Sequence, residues 1–220
     1  MKIGIIGAGN IGGALTRRLA AVGHDVFVAN SRGPETLTEL AQAAGATAAT
    51  VEDAVRDADV VVVTIPLKNV PELSRRALDA RRPGAPIIDT NNYYPQQRDG
   101  RVDEIEDGMP EAMWVQQHVG EPVIKVFNNI YASHLLERGR PPGDDDRVAL
   151  PVAGDDPSAK QTVMELVDQI GFDPVDAGAL SESWRQQPGT PAYGSDLPAG
   201  GLRRALAQAT PERPRAMRAS

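Results

Sequence analysis

The sequence predicts an α/β fold, a doubly wound and mostly parallel sheet with a small C-terminal extension, and three observations predict it. Lys2-Ile3-Gly4-Ile5-Ile6 is a short apolar run bounded by glycine, the pattern of a strand buried on both faces. Gly7-Ala8-Gly9-Asn10-Ile11-Gly12 follows directly and opens a helical pattern that continues through Ala20. Beyond it, β-branched runs alternate with helical stretches, as parallel strands joined by crossover helices require.

Each glycine of the GxGxxG stretch has a physical task. Gly7 permits the tight turn, Gly9 lets a pyrophosphate approach the backbone, and Gly12 lets the helix lie close on the strand. The free N–H groups and positive dipole end of that helix then face the phosphates, with Asn10 and Ile11 in its first turn. A second strand, Asp25-Val26-Phe27-Val28-Ala29, completes a βαβ unit of the expected length, so the motif reads as dinucleotide-binding.

The tip of that second strand selects the dinucleotide. NAD sites usually place a carboxylate there to accept from the ribose 2′-OH. This chain has Asn30, Ser31 and Arg32 instead: a hydroxyl donor and a planar guanidinium, with no acid to repel a 2′-phosphate. NADP(H) is therefore the expected cofactor. An ordinary capped turn with Arg32 paired to Glu35 is the plainer alternative.

Composition narrows the classes. The 220 residues are enough for one large domain, or a domain with an appendage. A net charge of −7 argues against nucleic acid or an anionic membrane as the main partner. No run approaches the ~18 apolar residues that span a bilayer, and Met1 sits on the first strand with no room for a signal peptide. A cytoplasmic location is expected. Without cysteine there is no thiol catalysis and no cysteine-ligated metal. No metal site is expected: Asp144-Asp145-Asp146 lies in a Pro/Gly loop and reads as a solvated turn.

Further along, Thr50 and Asp53 form a capping-box-like start, and Asp59 to Ile65 is the most β-branched run, ended by Pro66. A helix is expected over 70–78, and a strand over 86–90 that enters the polar aromatic loop Asn91-Asn92-Tyr93-Tyr94. Then come a helix over 110–118, a strand over 122–127, and a helix beginning at Asn128. A strand over 148–153, an amphipathic helix over 157–170 and a last strand over 172–176 complete the pattern. The domain expectation is a nucleotide-binding unit over 1–180, an extension over 181–209 packed on it, and an unfolded basic tail over 210–220.

In an open parallel sheet, ligands lie outside the carboxyl ends of the strands where strand order reverses. That rule selects Gly7 to Gly12, Asn30 to Arg32, Thr64-Ile65-Pro66 and Thr90-Asn91 with the tyrosines Tyr93 and Tyr94; Asn128-Asn129-Ile130 is added if the sixth strand runs parallel. Thr64 or Asn91 would orient the nicotinamide. His24 and His118 read as structural, while His134, a few residues past the sixth strand, is a candidate acid with a helix-surface histidine as the plainer alternative. Little else offers acid–base chemistry, which tilts the reading towards hydride transfer to an aromatic acceptor, where the protein need only align two rings.

On these residues the chain resembles the NADPH-dependent reductases of the 8-hydroxy-5-deazaflavin coenzyme F420 and the homologous cytosolic domain of the membrane metalloreductases. The resemblance is carried by Ile5 to Gly12, Ser31-Arg32, Thr64-Ile65-Pro66, Asn129-Ile130-Tyr131-Ala132, Pro151 to Asp156 and Pro174 to Leu180. It implies a Rossmann-type domain, a homodimer, a small-molecule redox acceptor (F420 or a flavin), and direct hydride transfer without a catalytic side chain. It also implies Ser31 and Arg32 on the 2′-phosphate, and Ile130 and Ala132 near the deazaflavin ring. The helix after Arg32 lacks the further basic residue common in the family. Trp184 and Arg185 are candidates to stack on the acceptor and bind an anionic tail, or else to anchor the C-terminal segment. Two rival readings are a ketone or imine reductase with His134 or Tyr93 as proton donor, and a non-catalytic NADP(H) sensor.

Overall fold

A computed structural model describes residues 1–73 and 75–219. Ser74, inside the helix expected over 70–78, and Ser220, at the end of the expected tail, lie outside the described residues.

The chain begins with β1 (Lys2–Ile6), α1 (Asn10–Ala21) and β2 (Asp25–Ala29). A 3-10 turn (Pro34–Leu37), α2 (Thr38–Ala44) and β3 (Thr47–Ala48) follow. Next come α3 (Val51–Val55), β4 (Val60–Val63), α4 (Arg75–Leu78) and β5 (Ile87–Asp89). After α5 (Asp103–Glu106) and α6 (Glu111–Val119), β6 (Val123–Lys125) completes a six-stranded sheet in the order β3-β2-β1-β4-β5-β6. Every pairing in it is parallel. Strand order therefore reverses between β1 and β4, and the carboxyl ends of all six strands open on one side.

Helix α7 (Ala132–Glu137) leads to β7 (Ala149–Val152), α8 (Pro157–Gln169) and β8 (Asp173–Asp176). The strands β7 and β8 form a separate parallel pair, tied to the main sheet by an antiparallel bridge between Lys125 and Ala153. Helix α9 (Ala199–Gln208) lays Leu202, Ala205 and Leu206 against this pair. It follows a Gly- and Pro-rich stretch without clear periodicity and is not among the expected elements.

Two apolar layers hold the main sheet. One packs Leu15 and Leu19 of α1, Leu135 of α7 and Leu166 of α8 on Ile3, Ile5 and Val62. The other packs Val55, Leu78, Trp114 and Val115 on Val61, Val63 and Ile87. Burial on both faces explains why β4 is valine throughout.

Several expectations change. The helix over 70–78 is instead a 3-10 turn (Leu67–Glu72) interrupted by Pro71, followed by the single turn of α4. Pro71 lacks the N–H that a continuous helix needs. The helix expected from Asn128 begins only at Ala132, because Phe127 takes a left-handed φ of 63° and Tyr131 is extended at the N-cap. The tail expected to be unfolded is docked as far as Ala219: Arg213 donates to the buried Glu111 at 2.6 Å, and the Ala219 N–H to Glu106 at 2.8 Å. Among the described residues no helix is long and apolar enough to cross a membrane.

Candidate dinucleotide and acceptor cleft

The glycine turn sits at the reversal point, where its geometry leaves little choice of residue. Gly7 has φ +115°, and a Cβ there would lie 2.1 Å from the Thr64 carbonyl oxygen at the end of β4. A Cβ on Gly12 would lie 2.0 Å from the Gly7 oxygen, so this glycine sets the approach of α1 to β1. At Gly9 the space is open: nothing stands within 4 Å of an added Cβ. Gly9 is also the N-cap of α1 and provides no side-chain cap, and the first turn holds no acid. The first N–H groups of α1 therefore remain available to an anion.

At the tip of β2, Asn30 Oδ1 accepts from the Arg32 N–H at 2.9 Å, and its amide nitrogen donates to Thr36 at 2.9 Å. This turn presents Ser31 and Arg32 at the surface, both exposed. Among the described residues Arg32 has no ion pair, so the alternative pairing with Glu35 is not formed.

A cleft of about 420 Å³ runs from this glycine turn across the carboxyl ends of β4, β5 and β6. It gathers Gly9, Asn10, Ile11, Thr64, Ile65, Pro66, Asn91, Ile130 and Ala132, nine of the expected residues. Gly7 and Gly12 lie beneath the turn, and Asn30 to Arg32 lie beyond it on the β2 side. Two expected residues are elsewhere. Asn129 is buried with its amide towards Ala192 and its carbonyl accepting from Gly194 at 2.7 Å, so it fastens the C-terminal extension. His134 is outside the cleft lining, with Nδ1 2.5 Å from Asp196 Oδ2, which also pairs with Arg138 at 2.7 Å.

The proposed proton donor Tyr93 also faces away. It is fully buried, its hydroxyl donates to Glu106 at 3.1 Å and accepts from the Val102 N–H at 2.9 Å. Trp184 does not reach the cleft either; the Arg185 guanidinium covers its ring at 4.4 Å, and it lines a second cavity beside Met109 and Met113.

The cleft floor rests on a buried ion pair. Lys125 Nζ lies 2.9 Å from Asp89 Oδ2 and also donates to the Asn91 carbonyl, while Asp89 Oδ1 accepts from the Asn91 N–H at 2.8 Å. The pair thus holds the Asn91 backbone at both its polar groups. The Asn91 side chain, only 3% exposed, has no partner for either its nitrogen or its oxygen. A buried amide left unsatisfied costs about 1–3 kcal/mol, and in a cleft it marks a place for a ligand. Asn128 is held similarly: its amide exchanges hydrogen bonds with Gln186 (2.8 and 2.9 Å) and reaches Asn92 at 3.1 Å.

The far end of the cleft carries Tyr94, one of the two tyrosines expected beside Asn91, together with four residues not among the expected site: Asn92, Arg98, Tyr131 and Tyr193. The Tyr94 and Tyr193 hydroxyls contact each other, and the Arg98 guanidinium stands 5.3 Å from the Tyr94 ring centre. Burial raises both phenols above their ordinary range, and at Tyr193 the neighbouring Tyr94 adds to the rise. Among the described residues lining the cleft, none is a carboxylate or a histidine.

A glycine turn at the switch point of a parallel sheet, an uncapped helix end facing it and an unsatisfied amide beyond it are the parts of a dinucleotide site, and they fit that group. This fold and site define the class of NAD(P)-dependent oxidoreductases. Residues 2–93 match the family described as NADP oxidoreductase, coenzyme F420-dependent, and the chain belongs to that family. The Sinorhizobium meliloti protein SMa0349, a hypothetical protein of known structure, is 30% identical, superposes with a TM-score of 0.77, and is matched over 95% of its length and 90% of this chain. The protein YjhV of Escherichia coli K12 is 49% identical over 73 residues, 33% of this chain and 53% of YjhV. The metalloreductase STEAP3 of Rattus norvegicus is 28% identical over 186 residues, 83% of this chain and 35% of that protein. The chain thus spans about half the length of one of these curated relatives and a third of the other.

Proposed function

We propose that the protein is an NADP(H)-dependent oxidoreductase that transfers hydride between NADPH and a deazaflavin (coenzyme F420) or flavin-type acceptor, as a homodimer in the cytoplasm. The observation that carries this reading is the cleft at the strand-order reversal, which joins the glycine turn to an aromatic end without placing a carboxylate or imidazole between them. NADPH, when bound, supplies the hydride.

The chain's own residues bind and orient. The uncapped N–H groups of Asn10, Ile11 and Gly12 take the pyrophosphate, and Gly9 leaves room for it. Ser31 and Arg32 take the 2′-phosphate, which is why the β2 tip carries no acid. Asn91, with one amide donor side and one acceptor side unsatisfied, matches a carboxamide and holds the nicotinamide in plane. Ile130 and Ala132 form the apolar wall against which the acceptor ring lies, keeping water from the two reacting carbons.

The test is oxidation of NADPH, followed at its own absorbance, against a panel of acceptors: 8-hydroxy-5-deazaflavin, riboflavin phosphate, a ferric chelate, and a simple ketone and cyclic imine. Turnover with the first two, and little loss in His134→Ala, is expected. No turnover with either ring acceptor would overturn the reading.

A further inference from the structure

Tyr94 follows β5, while Tyr193 belongs to the C-terminal extension, 99 residues later, yet their hydroxyls meet at the far end of the cleft. The strand-end rule reaches Tyr94, while Tyr193 lies in no motif. Two phenols bring two protons and two accepting oxygens. One proton is spent between them. Asn92 Nδ2 approaches the Tyr193 oxygen at 3.5 Å and uses an accepting site, not a proton. Among the described residues nothing accepts the second proton, so the pair offers one free donor to whatever lies in the cleft.

The surroundings make that donor strong and keep it neutral. Arg98 stands over the Tyr94 ring and is fixed there by Asp99 at 2.9 Å and by the Asn92 carbonyl. A cation on the ring face draws charge from the phenol and strengthens its O–H as a donor. Burial holds both phenols protonated well above neutral pH. The same guanidinium disfavours a cationic ligand at this end and favours an oxygen that gains negative charge.

We propose that the Tyr94–Tyr193 hydroxyl pair is the acceptor-recognition element, donating its free proton in a hydrogen bond to a ring carbonyl oxygen conjugated with the atom that takes the hydride. The inference rests on the hydride-transfer reading above and deepens it. It selects ring acceptors that carry such a carbonyl over ferric chelates, which have none. It also makes the C-terminal extension part of the site, since half of the pair comes from it.

The experiment uses Tyr94→Phe, Tyr193→Phe and the double variant, each of which keeps its ring. Binding of riboflavin phosphate and of 8-hydroxy-5-deazaflavin to protein saturated with NADP⁺ is measured by fluorescence, with NADPH affinity measured separately. The double variant should bind NADPH within about twofold of the parent and the ring probes about tenfold more weakly, the effect of one lost hydrogen bond. Where turnover is measurable, its rate should fall by about 100-fold, as when a donor to a developing oxyanion is removed. Ring-probe affinity within about twofold of the parent would overturn the proposal, and so would a parent protein that takes up NADP⁺ but neither probe. Probes that bind through the pair but do not oxidise NADPH would defeat the function reading and leave this one standing. Should the double variant melt early, the comparison is made on the parent with two tricyclic rings, lumiflavin and the carbonyl-free phenazine: phenazine should bind about tenfold more weakly, and equal affinity would overturn the proposal.

Discussion

Lys125 Nζ lies 2.9 Å from Asp89 Oδ2, and solvent reaches neither side chain. The two face each other across neighbouring parallel strands, in direct register. Removing one partner of such a pair leaves a buried charge with nothing to balance it, at a cost of about 3–5 kcal/mol. Lys125→Met should therefore lower the urea midpoint strongly, and Lys125→Met with Asp89→Asn should recover much of the loss. Because the pair also holds Asn91, the double variant should still bind NADPH more weakly than the parent. Full stability with full affinity in Lys125→Met would show the pair to be idle.

The β2 tip gives a second prediction. Arg32 is exposed and has no ion pair among the described residues, so its removal should leave the fold intact. A charge-assisted hydrogen bond to phosphate contributes about 1.5–3 kcal/mol. Arg32→Ala should weaken NADPH by about 10- to 100-fold while NADH, which lacks the 2′-phosphate, is unchanged. Isothermal titration with both nucleotides separates the two, and equal losses would remove Arg32 from the phosphate site.

Two glycines of one motif should fail in different ways. A Cβ on Gly12 meets the Gly7 oxygen at 2.0 Å, backbone that cannot give way, so Gly12→Ala should destabilise the protein and abolish nucleotide binding together. A Cβ on Gly9 meets nothing within 4 Å, so Gly9→Ala should melt with the parent yet bind NADPH poorly. Normal NADPH binding by Gly9→Ala would mean that no pyrophosphate passes there.

These residues also show what could be read in advance. The glycine spacing, the β-branched β4 and the acid-free β2 tip are local patterns, and each stands where a parallel sheet needs it. The ion pair, absent from the expectations, also leaves a local signal: Lys125 and Asp89 close two apolar runs, Val-Ile-Lys and Ile-Ile-Asp, and charges in strands buried on both faces must find each other. Tyr193 could not be found this way. It lies in a Gly/Pro-rich stretch without periodicity, and it meets Tyr94 through tertiary contacts alone: Asn129 holds Ala192 and Gly194 on either side of it, and α9 docks on β7 and β8. The position of His134 has a related cause. Its distance along the chain from β6 pointed to the cleft, but the left-handed Phe127 and the extended Tyr131 displace the start of α7 and turn the ring to Asp196.

The docked tail makes stability depend on pH. Glu111 is fully buried; one oxygen accepts from Arg213 at 2.6 Å and the other from the Tyr93 N–H at 3.0 Å. Burial raises its pKa from 4.5, and Arg213 and Lys125 oppose the rise without cancelling it. Between the unfolded and the raised folded value, the native state holds the proton more often than the unfolded chain. The stabilisation is therefore complete below about pH 4.5 and declines as pH climbs through the folded pKa. Glu111→Gln should remove this slope. Arg213→Ala takes away a cation that opposes the shift, so Glu111 should then protonate more readily, and the loss of about 3–5 kcal/mol expected at pH 8 should be smaller at pH 5. Denaturant unfolding of the parent, Glu111→Gln and Arg213→Ala at both pH values measures this. An equal loss in Arg213→Ala at pH 5 and pH 8 would show that the tail is held by its packing and not by the charge on Glu111.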